Sequence, residues 1–190
     1  MGMTGIILAG GGSSRFGSDK AFIEIKGLPL IKRQIKFLKK IFKKIIIITN
    51  NPKKYHFRGI RIFQDIIPEK GPLGGIYSGL MNSDTLYNFV VACDMPNLNL
   101  KLIRYMIRQK NNFDVVVPRI KKGFEPLFAV YSKNCIRPLY ETLNSRNLRI
   151  RNFFKKIMVR VINEDEILKF GNPDILFMNI NTKIDLLKIK

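Results

Sequence analysis

Histidine, cysteine and acidic residues are scarce in this chain, and each shortage removes a class of chemistry. The single histidine, His56, excludes multi-histidine metal centres, and any Ser-His-Asp or Cys-His mechanism would rest on that one residue. It lies in the polar, basic stretch PKKYHFR, where the simple expectation is an exposed loop residue. Two cysteines, Cys93 and Cys135, sit in apolar segments. That pattern fits reduced, buried thiols and rules out a disulfide framework or a cysteine-rich zinc site. No apolar run approaches the ~18 residues of a membrane helix, and the N-terminus lacks the charged and apolar regions of a signal peptide. These absences predict a soluble, cytoplasmic protein without a membrane partner.

Acidic residues number only 14 against 34 Lys plus Arg, a formal charge of +20 over 190 residues. Such a surplus raises the question of nucleic-acid binding, because clustered cations neutralise phosphates and release counterions. One cluster is Lys32, Arg33, Lys36, Lys39, Lys40, Lys43 and Lys44; the other is Arg146, Arg149, Arg151, Lys155, Lys156 and Arg160. In the first, Ile31, Ile35, Leu38, Ile41 and Phe42 recur at helical spacing, which puts the lysines on the solvated face of an amphipathic helix. The chain also holds 28 Ile, 22 Lys and 16 Asn, residues with AT-rich codons, so genome composition accounts for much of the surplus. We expect no specific nucleic-acid partner, although a basic surface attracts an anionic substrate.

Hydrophobic residues make up 46% of the chain, enough for a proper core in one domain spanning 1–190. Runs at 4–8, 44–49, 61–64, 89–93 and 115–117 read as strands, most of them Ile- and Val-rich without polar alternation, as expected of strands buried on both faces. Helical periodicity occupies 28–42, 72–81 and 100–109, with Asn99 as an N-cap. The second half reads as a strand at 124–131, a helix at 134–143 capped by Ser132, strands at 158–162 and 175–180, and a last helix opened by a Thr182–Asp185 capping box. This alternation predicts a three-layer α/β fold, a mostly parallel sheet with helices on both faces. Ligands then bind beyond the carboxyl ends of the strands.

The first strand runs into LAGGGSSRFGSDK at 8–20, whose glycines bare backbone N–H groups to phosphate oxygens. It is not a dinucleotide fingerprint, since Arg15 stands where the third glycine would fall. Nor is it a Walker A loop, since Lys20 follows Asp19 and precedes Ala21. What remains is a glycine loop with two cations, the planar fork of Arg15 and the point charge of Lys20. Together they suit a triphosphate attacked at its α-phosphorus. Asp94 ends the hydrophobic strand YNFVVAC, and one carboxylate plus substrate phosphates is a common way to hold Mg²⁺. Asp65 ends another strand.

LAGGGSSRFGSDKAFIEIKGLPL resembles the signature of the nucleotidyltransferases that act on molybdopterin, in particular the molybdenum cofactor guanylyltransferase family, approximately LAGGxSxRMGxDKxxLxxxGxPL. GPLGG at 71–75, CDMP at 93–96, EPLFAVY at 125–131 and NINT at 179–182 follow in the order that family shows. Phe16 replaces its usual Met and Lys183 its usual Pro; neither change removes a charged or ligating group.

The resemblance implies a Rossmann-like nucleotidyltransferase fold and transfer of GMP from GTP to molybdopterin with release of pyrophosphate. It implies catalytic roles for Arg15, Lys20 and Asp94, with Asp94 on Mg²⁺. Nucleotide binding falls to Leu8, Ala9, Gly10, Gly11, Lys20, Asp65, Gly71, Gly75 and Asp94, with Asp65 on the guanine nucleotide. Asn179 and Asn181, read as one face of the 175–180 strand, face molybdopterin. Other proteins of molybdenum cofactor assembly and acceptor molybdoenzymes are the implied protein partners, and Glu125 receives no role. The rivals are a cytidylyl- or sugar-phosphate nucleotidylyltransferase of the same fold and, from another class, a basic nucleic-acid-binding domain. The first two usually carry AAG where this chain has LAGG, and the third predicts aromatics interleaved with Arg and Lys on a strand.

Overall fold

The apolar runs form a central sheet in the computed structural model, which describes residues 2–10, 19–145 and 147–187. In chain order, β1 (Thr4–Leu8) is followed by the short hairpin β2 (Glu24–Ile25) and β3 (Leu28–Pro29), then α1 (Leu30–Leu38), β4 (Lys44–Thr49) and β5 (Arg61–Gln64). Next come α2 (Gly71–Asn82), β6 (Tyr87–Ala92), α3 (Leu100–Arg108), β7 (Val115–Ile120), β8 (Gly123–Phe124) and β9 (Phe128–Ser132). The chain continues through α4 (Ile136–Leu143), α5 (Ile150–Phe154), β10 (Val159–Ile162), α6 (Glu164–Leu168), α7 (Pro173–Leu176) and α8 (Lys183–Leu187).

The main sheet runs β10-β7-β9-β6-β1-β4-β5, with β8 paired to β7. β1 pairs in parallel with β4 and β6, as do β4 with β5 and β7 with β10. β9 is antiparallel to both β6 and β7. The sheet is therefore mostly parallel, and the carboxyl ends of β5, β4, β1, β6 and β7 lie along one edge.

Successive residues of the central strands serve opposite layers. Ile7, Ile47 and Val91 pack with Ile31 and Leu38 of α1, Leu102 and Met106 of α3, Ile167 of α6 and Leu176 of α7. Ile6, Ile46, Ile48 and Val90 pack with Leu73, Ile76 and Leu80 of α2, Leu139 of α4 and Phe153 of α5. Each fully buried Ile or Leu contributes about 1.5–3 kcal/mol, so the strands are unbroken hydrophobic runs because both faces need covering. α2 lies close on β1. A Cβ at Gly79 would come within 2.8 Å of Ile6 Cγ2, and one at Gly75 within 3.1 Å of Leu8 Cδ1.

Three sequence expectations are corrected. Helix 28–42 is shorter, because Leu28–Pro29 pair with Glu24–Ile25 as β3 and the helix closes at Leu38. The strand at 124–131 is two strands, interrupted at 125–127 by Pro126, which has no N–H for a ladder; there Glu125 N–H donates to Pro118 O and Phe128 N–H to Glu125 O. The strand at 175–180 does not form. Pro173 at the first turn and the Asn172 cap, which accepts from Asp174 N–H, start α7 instead, and the following segment is tied by Ile180 N–H to Asp94 O at 2.9 Å. α5 and α6 were not anticipated. The Asn99 and Ser132 caps are formed, as is the Thr182–Asp185 capping box. Cys93 and Cys135 are free and buried, and His56 is exposed. No helix among the described residues is long and apolar enough to cross a membrane.

Candidate active site

A cavity of about 720 Å³ opens at the carboxyl ends of β1, β4, β5 and β6. Of the residues expected to bind nucleotide, Leu8, Ala9, Gly10, Lys20, Asp65, Gly71, Gly75 and Asp94 all line it. Gly11 and Arg15 lie outside the described residues. Residues separated by up to 86 positions in sequence thus meet because parallel crossovers return each strand's carboxyl end to the same edge.

The two anchors of the glycine loop are held by side chains that sequence reasoning passed over. Asp19 caps the short 3₁₀ turn Lys20–Phe22 by accepting from Ala21 N–H at 3.1 Å. Tyr55, only 1% exposed, donates its hydroxyl to Asp19 Oδ2 at 2.7 Å and lies 3.3 Å from Ala9 O. One phenol therefore ties the entry of the loop to its exit. Burial first, then the Asp19 carboxylate, pushes the Tyr55 hydroxyl far up, so it remains a donor. Its signal was hidden because it stands in the basic stretch PKKYHFR, which reads as surface.

Lys20 Nζ donates to Asn181 Oδ1 at 2.9 Å and stands 3.8 Å from Asp94 Oδ2. With Asp94 at 24% side-chain exposure, burial raises its carboxyl above the ordinary range and Lys20 opposes the rise. A buried carboxylate with one partial counter-charge gains from a further cation. The turn that carries it is pinned from behind: Gln34 of α1, 2% exposed, donates through Nε2 to Ala92 O at 2.7 Å and Met95 O at 3.1 Å. Among the described residues no group of three or more His, Cys, Asp or Glu side chains gathers as a metal site. A divalent cation here would take Asp94 as its protein ligand and fill its shell with phosphate oxygens and water. The neighbouring Cys93 thiol is pushed far up by burial, then by Asp94 and Asp19, which makes it an inert core group.

On the far side, Asp65 makes no ion pair among the described residues. Its Oδ1 accepts from Ser78 Oγ at 2.6 Å and from Ile67 N–H at 3.2 Å, while Ser78 Oγ accepts from Ile66 N–H at 2.8 Å. The fully buried Ser78 therefore orients a carboxylate that would otherwise rotate freely. Gly74 makes this possible, since a Cβ there would come within 2.8 Å of Ile67 O. Gly71 is open, with nothing within 4 Å of its Cβ position, whereas Gly75 meets Leu8. Of the two glycines expected to admit a base, Gly71 offers bare space and Gly75 serves helix packing as well. The two asparagines separate too. Asn181 joins Lys20, while Asn179 is exposed and makes no side-chain hydrogen bond among the described residues.

The MobA-like NTP transferase domain model matches residues 5–161. The chain is 39% identical over 189 residues to the molybdenum cofactor guanylyltransferase of Desulfosudis oleivorans, covering 98% of this chain and 93% of that protein. It is 34% identical over 185 residues to the protein of that name from Syntrophotalea carbinolica, covering 96% and 88%. The crystal structure of molybdopterin-guanine dinucleotide biosynthesis protein A from Archaeoglobus fulgidus superposes with a TM-score of 0.83 at 22% identity, covering 98% of this chain and 96% of that one. At that identity the likeness speaks for the fold.

Proposed function

The chain belongs to the MobA-like NTP transferase family, and from that premise we propose that it transfers GMP from GTP to molybdopterin. A terminal phosphate oxygen of molybdopterin attacks the α-phosphorus of GTP in line. The bond from the α-phosphorus to the bridging oxygen breaks, and pyrophosphate leaves with that electron pair. The nucleophile is already ionised, so no general base is required, in keeping with an exposed His56 and an inert Cys93. The observation that carries the reading is the single cavity lined by Gly10, Lys20, Asp65, Gly71 and Asp94.

In this reading Leu8 and Ala9 border the nucleotide at the end of β1, where Ala9 N–H is committed to Ile48 O at 2.8 Å, and the backbone N–H groups of the glycine loop from Gly10 and Gly11 onward cradle the phosphates. Arg15 and Lys20 offset the charge that develops on the transferring phosphoryl and leaving groups. Asp94 holds Mg²⁺, which when bound supplies Lewis-acid stabilisation of the phosphates. Asp65 accepts from the nucleoside, Gly71 and Gly75 border it, and Asn179 and Asn181 receive the pterin substrate. Residues 1–190 act as one domain, since the site draws on positions from Leu8 to Asn181, and the buried, free thiols suit a cytoplasmic enzyme. The lysines of α1 are exposed opposite its buried face of Leu30, Ile31, Gln34, Ile35 and Leu38, which leaves them as solvating charge rather than a nucleic-acid surface. Incubating the protein with molybdopterin, MgCl₂ and each of GTP, CTP, ATP and UTP tests the proposal: a guanine dinucleotide from GTP alone supports it, and preferential use of CTP overturns it.

A further inference from the structure

EPLFAVY contributes one residue that the reaction described above does not use. Glu125 occupies the turn between β8 and β9, half-buried, and its side chain makes neither a hydrogen bond nor an ion pair among the described residues. In a chain with 34 cations and 14 acids, a half-buried carboxyl left without a partner is the exception. The cation nearest in influence, Lys122, is itself engaged with Asp174 at 2.8 Å. Tyr131, beneath the turn, donates its hydroxyl to Pro126 O at 2.8 Å, and Arg119 of β7 lies over the Phe124 ring at 5.6 Å. The fold therefore holds the turn firmly while leaving its carboxyl unsatisfied. Burial pushes that carboxyl up to about 7, with Lys122 opposing.

Its place along the sheet edge indicates what would satisfy it. Leu127, two residues on, lines the cavity, and its carbonyl accepts from Ala92 N–H at 3.0 Å, two residues before Asp94. β9 is the neighbour of β6 on one side, while β1, β4 and β5 follow on the other. At about 4.8 Å per strand, Asp65 stands about 14 Å from Asp94 on the nucleoside side, and the Glu125 turn stands about one strand beyond Asp94 on the opposite side. Asp94 lies between two carboxylate-bearing ends.

We propose that Glu125 selects the acceptor: its carboxylate takes the two adjacent N–H donors of a 2-amino-4-oxo ring edge, the 2-amino group and N3–H of the pterin. This inference rests on the guanylyltransferase reading. Guanine carries the same pair of donors; with Asp65 as the nucleoside's carboxylate, as the guanylyltransferase reading has it, the strand order leaves Glu125 on the opposite side of Asp94 for the pterin. A carboxylate meets both donors at once, whereas the amide of a glutamine opposes one of them with its own N–H.

The test compares wild type, Glu125→Gln and Glu125→Asp. The Gln variant should raise KM for molybdopterin about ten- to a hundredfold while leaving the GTP dissociation constant unchanged. Wild-type KM for molybdopterin should fall as pH rises from 6 to 8, and the Gln variant should lose that part of the profile while the Asp variant retains it. Wild type should also bind free pterin, followed by its fluorescence, more tightly than lumazine, which has an oxygen in place of the 2-amino group; the Gln variant should lose this preference. An unchanged KM and pH profile in the Gln variant would overturn the inference while leaving the guanylyltransferase reading intact. Weakening of GTP by the same factor would assign Glu125 to guanine and overturn it too. Failure of wild type to form a dinucleotide from GTP would remove the reading and the inference together.

Discussion

Replacing Gly74 by alanine tests whether the close contact between α2 and the 65–70 loop positions the nucleoside end of the site. The new Cβ would stand 2.8 Å from Ile67 O, 3.2 Å from Lys70 Cβ and 3.4 Å from Asp65 Oδ2. The first neighbour is backbone, and it cannot rotate away as a side-chain tip can. The loop is also tied at three points, by Ser78 to Asp65, Ile66 N–H to Ser78 and Ile67 N–H to Asp65. Alanine in place of glycine inside a helix gains about 1 kcal/mol, while overpacking typically costs about 1–3 kcal/mol. The net should be a loss of about 1 kcal/mol, which lowers Tm by about 2–4 °C in a chain of this size. Urea unfolding should show a lower midpoint at unchanged slope, and GTP affinity should fall because Asp65 moves with the loop. Gly75→Ala is the control, since its Cβ meets only the movable end of Leu8 at 3.1 Å, and its stability should change less. A Gly74→Ala protein as stable as wild type, with unchanged GTP affinity, would show that the contact of Gly74 with Ile67 O does not position Asp65.

Asp94→Asn keeps the shape of the turn but removes the charge facing Lys20 and the phosphates, so Mg²⁺-dependent turnover should fall by orders of magnitude while the melting curve stays near wild type; Lys20→Ala should lose about 3–4 kcal/mol of transition-state stabilisation, and His56→Ala should be indistinguishable from wild type in turnover. Tyr55→Phe removes the hydroxyl joining the two anchors of the glycine loop, and should cost about 1 kcal/mol in urea unfolding together with weaker GTP binding by titration calorimetry. Glu125 gives a pH-dependent stability difference. Its carboxyl is pushed up to about 7 from an ordinary 4.5, so the cost of its ionisation is absent below about 4.5, grows as pH rises from there to about 7, and is level above. Glu125→Gln should therefore gain stability relative to wild type as pH rises from 4 to 8, by about 1–2 kcal/mol once solvent screening at this half-buried position is allowed for, and parallel stability curves for the two proteins would contradict this.

Much of the fold was legible because the central strands leave little ambiguity. β1 and β4 are almost wholly apolar over their length, a pattern that only a strand covered on both faces needs. Asp94 was legible for the same reason, as a carboxylate placed where YNFVVAC stops, whereas Asp65 follows RIFQ, a half-polar strand at the sheet edge, and was legible only from its place at a strand end. What escaped depended on partners distant in sequence. Tyr55 is flanked by lysines and a histidine, and it is buried through Phe22 and Phe57 and its bonds to Asp19 and Ala9 O, none of which the local sequence shows. Gln34 sits among the lysines of α1, yet faces inward and donates to Ala92 O and Met95 O, carbonyls about sixty residues away in sequence. Asn179 and Asn181 alternate with apolar residues as a strand would, but Pro173 and Asn172 set a helical turn just before them and no neighbouring strand offers a ladder. Glu125 belongs to a recognisable motif, but the sequence does not show its place beside Leu127 or its lack of a side-chain partner among the described residues.

If GTP is attacked at its α-phosphorus within the Lys20–Asp94 cavity, each of its phosphates has a defined fate. Wild type and Asp94→Asn are incubated with molybdopterin and MgCl₂ and with GTP carrying ³²P at either the α or the γ position. In wild type the α-label should appear in the pterin dinucleotide and the γ-label in pyrophosphate, with both transfers lost in the Asn variant. Release of γ-label as inorganic phosphate, or α-label transfer undiminished in Asp94→Asn, would contradict it.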